Sequence, residues 1–252
     1  MKLFVLPLGT AEVSVPRFMP MDLDRGQFYT GPLTAFLIQT HDGLNVLFDS
    51  GPSPESSQLR PLVRQHPDDT VVRVDPDDSI VGRLEKLGVS ASDVSHVIVS
   101  HFDYDHCGGN RYFPQARFHV QAEHMAWAER NPERCRRWDW DIPGLRYELL
   151  DGDVEVLPGI QVVTTPGHAP GHQSLVVRGL TNTGTVILTA DAARTHRELE
   201  EERRGDVPED DETIASIRKL KRLRDDEDAL VLLSHDMEAL TASYRVSPLY
   251  YD

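Results

Sequence analysis

Hydrophobic residues along the chain fall mostly in short runs, which is typical of β-strands rather than of long helices. The runs are bounded by glycine, proline, aspartate and serine, residues that favour turns. We predict strands at residues 1–8, 33–40, 44–49, 97–99, 117–121, 154–157, 160–164, 174–178, 185–190 and 230–233. Short turns join 33–40 to 44–49 and 154–157 to 160–164, so each of these pairs is predicted to form a hairpin.

Three segments instead repeat their hydrophobic residues every three or four positions, which indicates amphipathic helices. The clearest helix is predicted at 213–224. Its apolar stripe consists of Ile214, Ile217, Leu220 and Leu223. Shorter helices are predicted at 80–87, between a Ser79 cap and Gly88, and at 122–130.

Four segments show neither pattern and are predicted to be irregular. Residues 14–32 carry several aromatic and methionine side chains, which either pack locally or form a wall of an apolar substrate pocket or a dimer contact. Residues 52–76 are polar and interrupted by prolines, whereas 194–212 are highly charged and predicted to be a mobile surface loop. Residues 131–150 hold two tryptophans, which either pin that loop to the core or cover a pocket.

Length and composition favour an ordinary globular enzyme or binding protein. Residues 1–252 are predicted to form one domain, and an apolar content of 39% allows a full hydrophobic core. A net charge of −15 would repel phosphate backbones, so no nucleic-acid partner is expected. Two cysteines are too few for a disulfide framework and fit a cytoplasmic location. No apolar run approaches the roughly 20 residues that span a membrane, so no membrane partner is expected.

Candidate chemistry is concentrated directly after the predicted strand 97–99. Four side chains of metal-binding types lie there within six positions: His101, Asp103, Asp105 and His106. A helix would not bring the first three to one face, and a continuing strand would point the last two in opposite directions. We therefore expect an irregular metal-binding loop, for which Gly108 and Gly109 would supply backbone freedom.

Other predicted strands end in residues of the same types. One leads to His168 and His172, of which we expect one to ligate and the other to be structural, because two Pro-Gly turns restrict that loop. Asp191 and His235 follow two more strands, and Asp49 closes another as either a turn former or a residue that orients a metal-bound histidine. Four histidines and three carboxylates exceed what one ion takes from a protein, so we predict two ions that share a bridging carboxylate in a hydrolytic site.

These motifs together resemble the metallo-β-lactamase superfamily and, within it, the N-acyl-homoserine-lactone lactonases. The residues that carry the resemblance are His101-x-Asp103-x-Asp105-His106, Thr165-Pro166-Gly167-His168, Asp191 and Ser234-His235. The likeness covers nearly the whole chain. It implies an α+β fold, a four-layer αββα sandwich with the metal ions at one edge.

The resemblance also implies a distribution of the ligands over two divalent ions, with Zn²⁺ expected first. The first ion would be held by His101, Asp103 and His168. The second would be held by Asp105, His106 and His235. Asp191 and a hydroxide would bridge the two ions. Asp49 would not bind an ion but would contact a ligand. The implied reaction is the opening of a small-molecule lactone or related ester by that hydroxide, with Asp105 and Asp191 among the catalytic residues; a homodimer is left open.

The chain departs from the lactonase pattern at two positions. The usual motif has histidine where this chain has Asp103, and the added oxygen ligand favours Mn²⁺ or Fe²⁺ or a weak first site. The lactonases have tyrosine at the position of Arg194. We predict that Arg194 is a catalytic residue that binds a substrate carboxylate or an oxyanion, with an ordinary surface charge as the alternative.

Two other enzyme classes share the metal motif. A thioester hydrolase of the glyoxalase II kind would need a basic glutathione-binding set, which the sequence does not display. An iron-dependent redox enzyme on the same fold is allowed by the oxygen-rich ligands. A binding protein without activity is disfavoured, because all seven ligand positions keep metal-binding residue types.

Overall fold

The computed structural model describes residues 1–14, 28–55, 70–204 and 211–252. The strands of this part are β1 (Lys2–Ser14), β2 (Phe28–Gln39), β3 (Asn45–Phe48), β4 (Val71–Arg73), β5 (Val94–Ile98), β6 (Arg117–Gln121), β7 (Arg146–Leu150), β8 (Val154–Leu157), β9 (Ile160–Thr164), β10 (Gln173–Leu180), β11 (Gly184–Leu188) and β12 (Leu230–Leu232). The α-helices are α1 (Ile80–Lys86), α2 (Tyr104–Cys107), α3 (Ala122–Arg130), α4 (Arg137–Trp140), α5 (His196–Glu201), α6 (Glu212–Glu227) and α7 (Met237–Ala242). Every strand and helix that the sequence predicted is present, with ends shifted by a few residues.

The strands form two sheets whose order places several strand ends on one side. Within the described residues, the first sheet has the order β4-β1-β2-β3-β5-β6-β7 and the second the order β12-β11-β10-β9-β8. Both predicted hairpins are confirmed as the antiparallel pairs β2/β3 and β8/β9. β3 runs parallel to β5, and β11 runs parallel to β12. The carboxyl ends within each parallel pair therefore lie side by side, where ligands commonly bind.

The two sheets pack face to face and helices cover both outer faces. Side chains of both sheets, among them Phe48, Ile98 and Leu188, form the apolar cluster between them. Helix α1 packs on the outer face of the first sheet through Leu84, and α6 packs on the second through Ile217. Central strands such as β2 and β10 are buried on both faces along most of their length, which explains their nearly continuous apolar runs. The four-layer αββα sandwich that the resemblance implies is confirmed.

The ends of the predicted helices follow from their caps. The Ser79 side chain accepts a hydrogen bond from the backbone N–H of Gly82 and begins α1 as predicted. Asp211 caps α6 in the same way, so this helix starts one residue before the predicted span and runs on to Glu227. No helix of the described ranges is long and apolar enough to cross a membrane.

The prediction of irregular structure was wrong for parts of all four segments, beginning with 14–32 and 52–76. In 14–32, strand β2 begins at Phe28, because its pairing with β1 continues as far as Ser14. In 52–76, strand β4 pairs with Thr10–Glu12, near the carboxyl end of β1. Both strands gain their partner from a distant part of the chain, which local pattern does not show. Residues 15–27 and 56–69, including Phe18, Met19 and Met21, lie outside the described part. Of the other apolar residues of this segment, Phe28 is exposed at the start of β2, and the Tyr29 hydroxyl donates a hydrogen bond to the His235 carbonyl oxygen.

The tryptophan segment 131–150 also contains regular structure, namely α4 and β7. Trp140 is buried and stacks on Phe102, with 4.9 Å between ring centroids. It therefore pins the segment to the core. Trp138 is 45% exposed and lies under the Arg111 guanidinium, 4.0 Å from the ring centroid.

The prediction of a charged surface loop at 194–212 was wrong for its first part. Arg194 and Glu198 are buried and form an ion pair one helical turn apart, and α5 starts at His196. Burial is tolerated because each charge has its partner beside it. Residues 205–210 lie outside the described part.

Candidate metal centre

A cavity of about 530 Å³ lies at the ends of β5, β11 and β12. Five of the seven predicted ligands line it: Asp103, Asp105, His168, Asp191 and His235. His101 and His106 are buried, and each contacts one of these carboxylates. Arg134, Arg194 and Arg204 also line the cavity, so its wall is strongly polar.

The structure brings all seven predicted ligands together in three overlapping groups. The ligand atoms of each group lie within 4.8 Å of one another. The groups are His101, Asp103 and His168; His101, His106 and Asp191; and Asp105, His106 and His235. The first and last match the two ion positions that the sequence resemblance implies.

Asp191 lies between these two groups and contacts both. Its Oδ1 is 2.9 Å from Nε2 of His235 and 3.2 Å from Nε2 of His106. Its Oδ2 is 3.4 Å from Nε2 of His168. One carboxylate oxygen therefore faces each group, which is the arrangement that a bridging ligand requires.

The distances in the first group fit a shared ion. Asp103 Oδ2 is 3.4 Å from His101 Nε2 and 3.1 Å from His168 Nε2. Two ligands that bind one tetrahedral zinc at about 2.1 Å are roughly 3.4 Å apart. The last group is wider, since Asp105 Oδ2 is 3.9 Å from His106 Nε2 and 4.0 Å from His235 Nε2.

Hydrogen bonds at Nδ1 turn the Nε2 atoms of the histidines toward the centre. His101 Nδ1 lies 2.9 Å from the Ser100 hydroxyl, and His235 Nδ1 lies 2.8 Å from the Pro32 carbonyl oxygen. With the proton on Nδ1, each Nε2 keeps its lone pair. The Nε2 atoms of His101 and His106 are buried and, within the described residues, have no hydrogen-bond partner. A buried lone pair of this kind fits a metal ligand.

Asp49 orients His106 from outside the cavity. Its Oδ2 is 2.7 Å from His106 Nδ1, and its two oxygens also accept hydrogen bonds from the backbone N–H and hydroxyl of Ser100. Asp49 also turns the chain after β3, with a φ of 61°. The two alternatives from the sequence are thus both correct: the residue closes a turn and holds a histidine in place.

We expect Asp49→Asn to weaken divalent metal binding about 10- to 100-fold, the usual cost of losing such a supporting group. The amide removes the negative charge and can turn an N–H toward His106. Calorimetric titration with Zn²⁺ measures the effect. Asp93→Asn is the control, because the Asp93 side chain accepts a hydrogen bond from the nearby backbone N–H of Ser90, before β5 and at the strand end away from the cavity. Equal affinities for wild type and Asp49→Asn would contradict this role.

Two carboxylates of the site, Asp103 and Asp191, have pKa values held well below the usual range, which keeps them ionised. Burial by itself would raise the pKa of Asp191, but His235, His106 and His168 outweigh it and hold the pKa well below its usual range. Burial lowers the pKa of His101 well below its usual range, which keeps this ring neutral. Asp191 outweighs burial and raises the pKa of His106 and His235, so these two rings would lose a proton when a divalent ion binds.

The segment after β5 is more regular than the sequence suggested. Asp103 precedes the single helical turn α2, which carries Asp105 and His106. Gly108 and Gly109 both have right-handed backbone angles, so the expected backbone freedom was not the reason for this pair. Gly109 is needed for space instead, because a Cβ there would lie 2.5 Å from the backbone oxygen of Ser50.

The loop after β9 separates the roles of its two histidines. His168 belongs to the first ligand group. His172 is buried, with Nδ1 2.9 Å from the Thr165 hydroxyl and Nε2 accepting a hydrogen bond from the backbone N–H of Asp191 at 3.2 Å. The expectation of one ligand-type and one structural histidine thus agrees with the geometry.

Arg194 lines the cavity and is only 3% exposed, so the alternative of an ordinary surface charge was wrong. Its guanidinium pairs with Glu198, with 3.1 Å between Nε and Oε1. This pairing holds the arginine in the wall of the cavity.

Three residues around the ligands were missed by the sequence reasoning. His124 accepts a hydrogen bond from the backbone N–H of Phe102 and bonds to the Pro170 carbonyl, which ties the two ligand loops together. Arg134 contacts Asp103, and Arg204 donates to the Asp191 carbonyl oxygen. None lies in a recognisable motif, and their charge alone did not distinguish them from surface residues.

Fold and site together define a class: four-layer αββα enzymes with grouped histidines and carboxylates at one edge of the sandwich. The family model described as "Metallo-beta-lactamase superfamily" matches residues 29–235, and the chain belongs to this superfamily.

Known lactonases are similar to this chain over its whole length. N-acyl homoserine lactonase AiiA of Bacillus thuringiensis subsp. kurstaki is 31% identical over 267 residues, which cover 99% of this chain and 98% of the relative. N-acyl homoserine lactonase AttM of Rhizobium radiobacter is 33% identical over 263 residues, with 99% and 98% covered.

Solved structures of lactonases share the fold. A B. thuringiensis AiiA mutant with N-decanoyl-L-homoserine bound at the active site has a TM-score of 0.87 and 31% identity, covering 99% of this chain and 98% of that one. An N-acyl homoserine lactone hydrolase with the product N-hexanoyl-L-homoserine at its catalytic metal center has a TM-score of 0.86 and 30% identity, with 99% and 98% covered.

Proposed function

We propose that this protein is a metal-dependent hydrolase that opens lactone rings, and that N-acyl homoserine lactones are among its substrates. The observation that carries the proposal is the set of three ligand groups around Asp191 in a cavity of about 530 Å³. The lactonase relatives, and the acyl-homoserine products in two solved structures, support the substrate class.

The ligand groups support two ion positions. The first would be formed by His101, Asp103 and His168. The second would be formed by Asp105, His106 and His235. Asp191 would contact the ions at both positions. Zn²⁺ is the first ion to consider, and the oxygen ligand of Asp103 favours Mn²⁺ or Fe²⁺ as alternatives. Ions bound there would make a water nucleophilic near neutral pH and would polarise the ester carbonyl.

The protein's own groups would position the reactants and move the proton. Asp191 reaches both ligand groups and would keep them at a fixed separation. Asp105 lines the cavity, where its carboxylate would take the proton of the attacking water and pass it to the departing ring oxygen. The buried Nδ1 bonds of His106 and His235 would keep their Nε2 atoms directed at the ion position throughout.

Arg194 is the proposed contact for a negatively charged part of the substrate. It lines the cavity, and its ion pair with Glu198 holds the guanidinium in position. A guanidinium in a cavity wall suits a carboxylate or a developing oxyanion. Lactones that bear a carboxylate are therefore a second substrate group beside the neutral N-acyl homoserine lactones.

A panel of lactones tests the proposed activity. We expect turnover of at least one lactone class, loss of turnover after chelation, and recovery on addition of Zn²⁺ or Mn²⁺. Full turnover after removal of all metal would contradict the proposal. Hydrolysis of thioesters but not of lactones would favour the glyoxalase II kind, and a coloured iron protein without esterase activity would favour the redox alternative.

The same panel tests Arg194. The variant Arg194→Ala removes the arginine and leaves Glu198 paired with Arg204, whose Nε lies 4.0 Å from Oε1 of Glu198. We expect it to lower kcat/KM for a carboxylate-bearing lactone about tenfold more than for its neutral analogue, the value of one charged hydrogen bond. An equal loss for both substrates would contradict charge recognition by Arg194.

A further inference from the structure

The Arg134 guanidinium lies against the first ligand group. Its Nε is 3.1 Å from Asp103 Oδ1 and its Nη2 is 3.2 Å from Asp103 Oδ2, which is a two-pronged ion pair. The same Nη2 is 3.0 Å from His168 Nε2 and 2.9 Å from the His168 carbonyl oxygen. One guanidinium therefore contacts two of the three members of this group.

Arg134 and a metal ion would need the same atoms. Asp103 Oδ2 and His168 Nε2 are the atoms that lie 3.1 Å apart at the proposed first position. A neutral imidazole has an available lone pair on one ring nitrogen only, so an ion can bind His168 Nε2 only when the proton is on Nδ1. A guanidinium and a divalent ion that both contact these atoms would also repel each other. Occupation by one therefore disfavours the other.

The surroundings of the opposite nitrogen of His168 disfavour the tautomer that an ion at Nε2 requires. His168 Nδ1 is 3.4 Å from Nη2 of Arg204, which can only donate. By contrast, the Nδ1 atoms of His106 and His235 face acceptors, namely Asp49 and the Pro32 carbonyl oxygen. A histidine that binds a metal through Nε2 carries its proton on Nδ1 and needs an acceptor there. The second position has this support, whereas His168 faces a donor.

We propose that Arg134 competes with the metal ion for the first position. Paired with Asp103, its guanidinium occupies this position until an ion displaces it, so the chain binds one ion tightly and one weakly. The inference rests on the proposed function and explains why a carboxylate can stand at a position where the lactonase motif has histidine: Asp103 has an arginine of its own to neutralise it.

Metal binding in the absence of substrate tests the proposal. Zn²⁺ is titrated calorimetrically into the metal-free full-length protein, with a chelator of known affinity to resolve the tight step. We expect two unequal steps in the wild type. In Arg134→Gln we expect the dissociation constant of the weak step to fall about tenfold, as for loss of one charged contact, while the tight step is unchanged.

Arg178→Gln is the matched control. Arg178 forms a two-pronged pair with Glu227 and is exposed to a similar extent, with a side chain 34% exposed against 39% for Arg134. It does not contact the seven ligands in any described interaction, so its loss should leave both steps unchanged. Arg134→Lys keeps the charge but cannot form the two-pronged ion pair with Asp103. We expect an intermediate change in the dissociation constant of the weak step.

A second pair of variants checks that Asp103 anchors the competitor. Histidine at position 103 cannot hold the guanidinium by a fork, so Arg134→Gln should change the weak step less in Asp103→His than in the wild type. Circular dichroism of each metal-free variant confirms that it is folded before titration.

The outcomes separate this inference from the proposed function. Two equal steps in the wild type with no change in Arg134→Gln would overturn the inference, as would a single ion in both proteins or an equal shift in Arg178→Gln. A wild-type protein that binds no divalent ion would instead overturn the proposed function.

Discussion

Asp191→Asn is expected to lower kcat/KM for lactone hydrolysis about a thousandfold, at the upper end of the cost of removing one electrostatic group in an active site. The carboxylate contacts both ligand groups, through Oδ1 to His235 and through Oδ2 to His168. Asparagine has nearly the same volume but carries no charge and only one oxygen. Steady-state kinetics and metal content are measured on the same sample, because loss of a shared ligand should lower both.

Asp93→Asn serves again as the control for this substitution, since it changes an aspartate of the same size away from the cavity. It should keep wild-type kinetics and metal content. The role of Asp191 as a shared ligand would be refuted if the variant kept activity within tenfold of wild type. It would also be refuted if activity disappeared while the full metal content remained.

Gly167→Ala is expected to lower the free energy of unfolding by about 3 kcal/mol or more, from backbone strain and overpacking together. Gly167 has a φ of 123°, and a Cβ there would lie 2.2 Å from the backbone nitrogen of Thr213 in α6. The next residue is His168, so relief of the clash would also move a ligand. Chemical denaturation gives the stability, and Zn²⁺ titration gives the effect on the site.

Gly144→Ala separates the two causes. Gly144 has a φ of 95°, but a Cβ there would meet no described atom within 4 Å. We expect a loss of about 1 kcal/mol from backbone conformation alone and no change in metal binding. Similar losses for the two variants would show that the close approach of the 166–168 loop to α6 does not constrain the site.

The ligands could be predicted because the sequence displays both their type and their position. His101, Asp191 and His235 each follow a buried strand, and parallel strands bring such ends together without help from details of packing. Asp49 was recognisable for the same reason, since β3 runs beside β5. The sandwich was predicted from the resemblance to a known family, whereas the individual strands were predicted from short apolar runs in the sequence.

The partners of these ligands could not be predicted from the sequence. Arg134 reaches Asp103 across 31 positions, and Arg204 reaches the Asp191 carbonyl across 13. Their side chains are placed by tertiary packing, and an arginine in a charged segment resembles a solvated one until its partner is known. The same reason explains the error in the first part of segment 194–212, where the ion pair of Arg194 with Glu198 turns a charged stretch inward.

The single turn α2 was missed for a different reason. Periodicity is informative over several turns, and a helix of four residues offers too little of it. Asp105 and His106 nevertheless end up together with His235, because one helical turn after Asp103 is enough to carry both toward the cavity.

The central claim is that side chains from His101 to His235 hold divalent ions in this cavity. Anomalous diffraction at the zinc absorption edge, from crystals grown with Zn²⁺, tests it most directly. We predict a strong peak in contact with Asp191, His106 and His235, and a weaker one beside Asp103 and His168. A map without any peak in the cavity, or with its zinc held by other residues, would contradict the account.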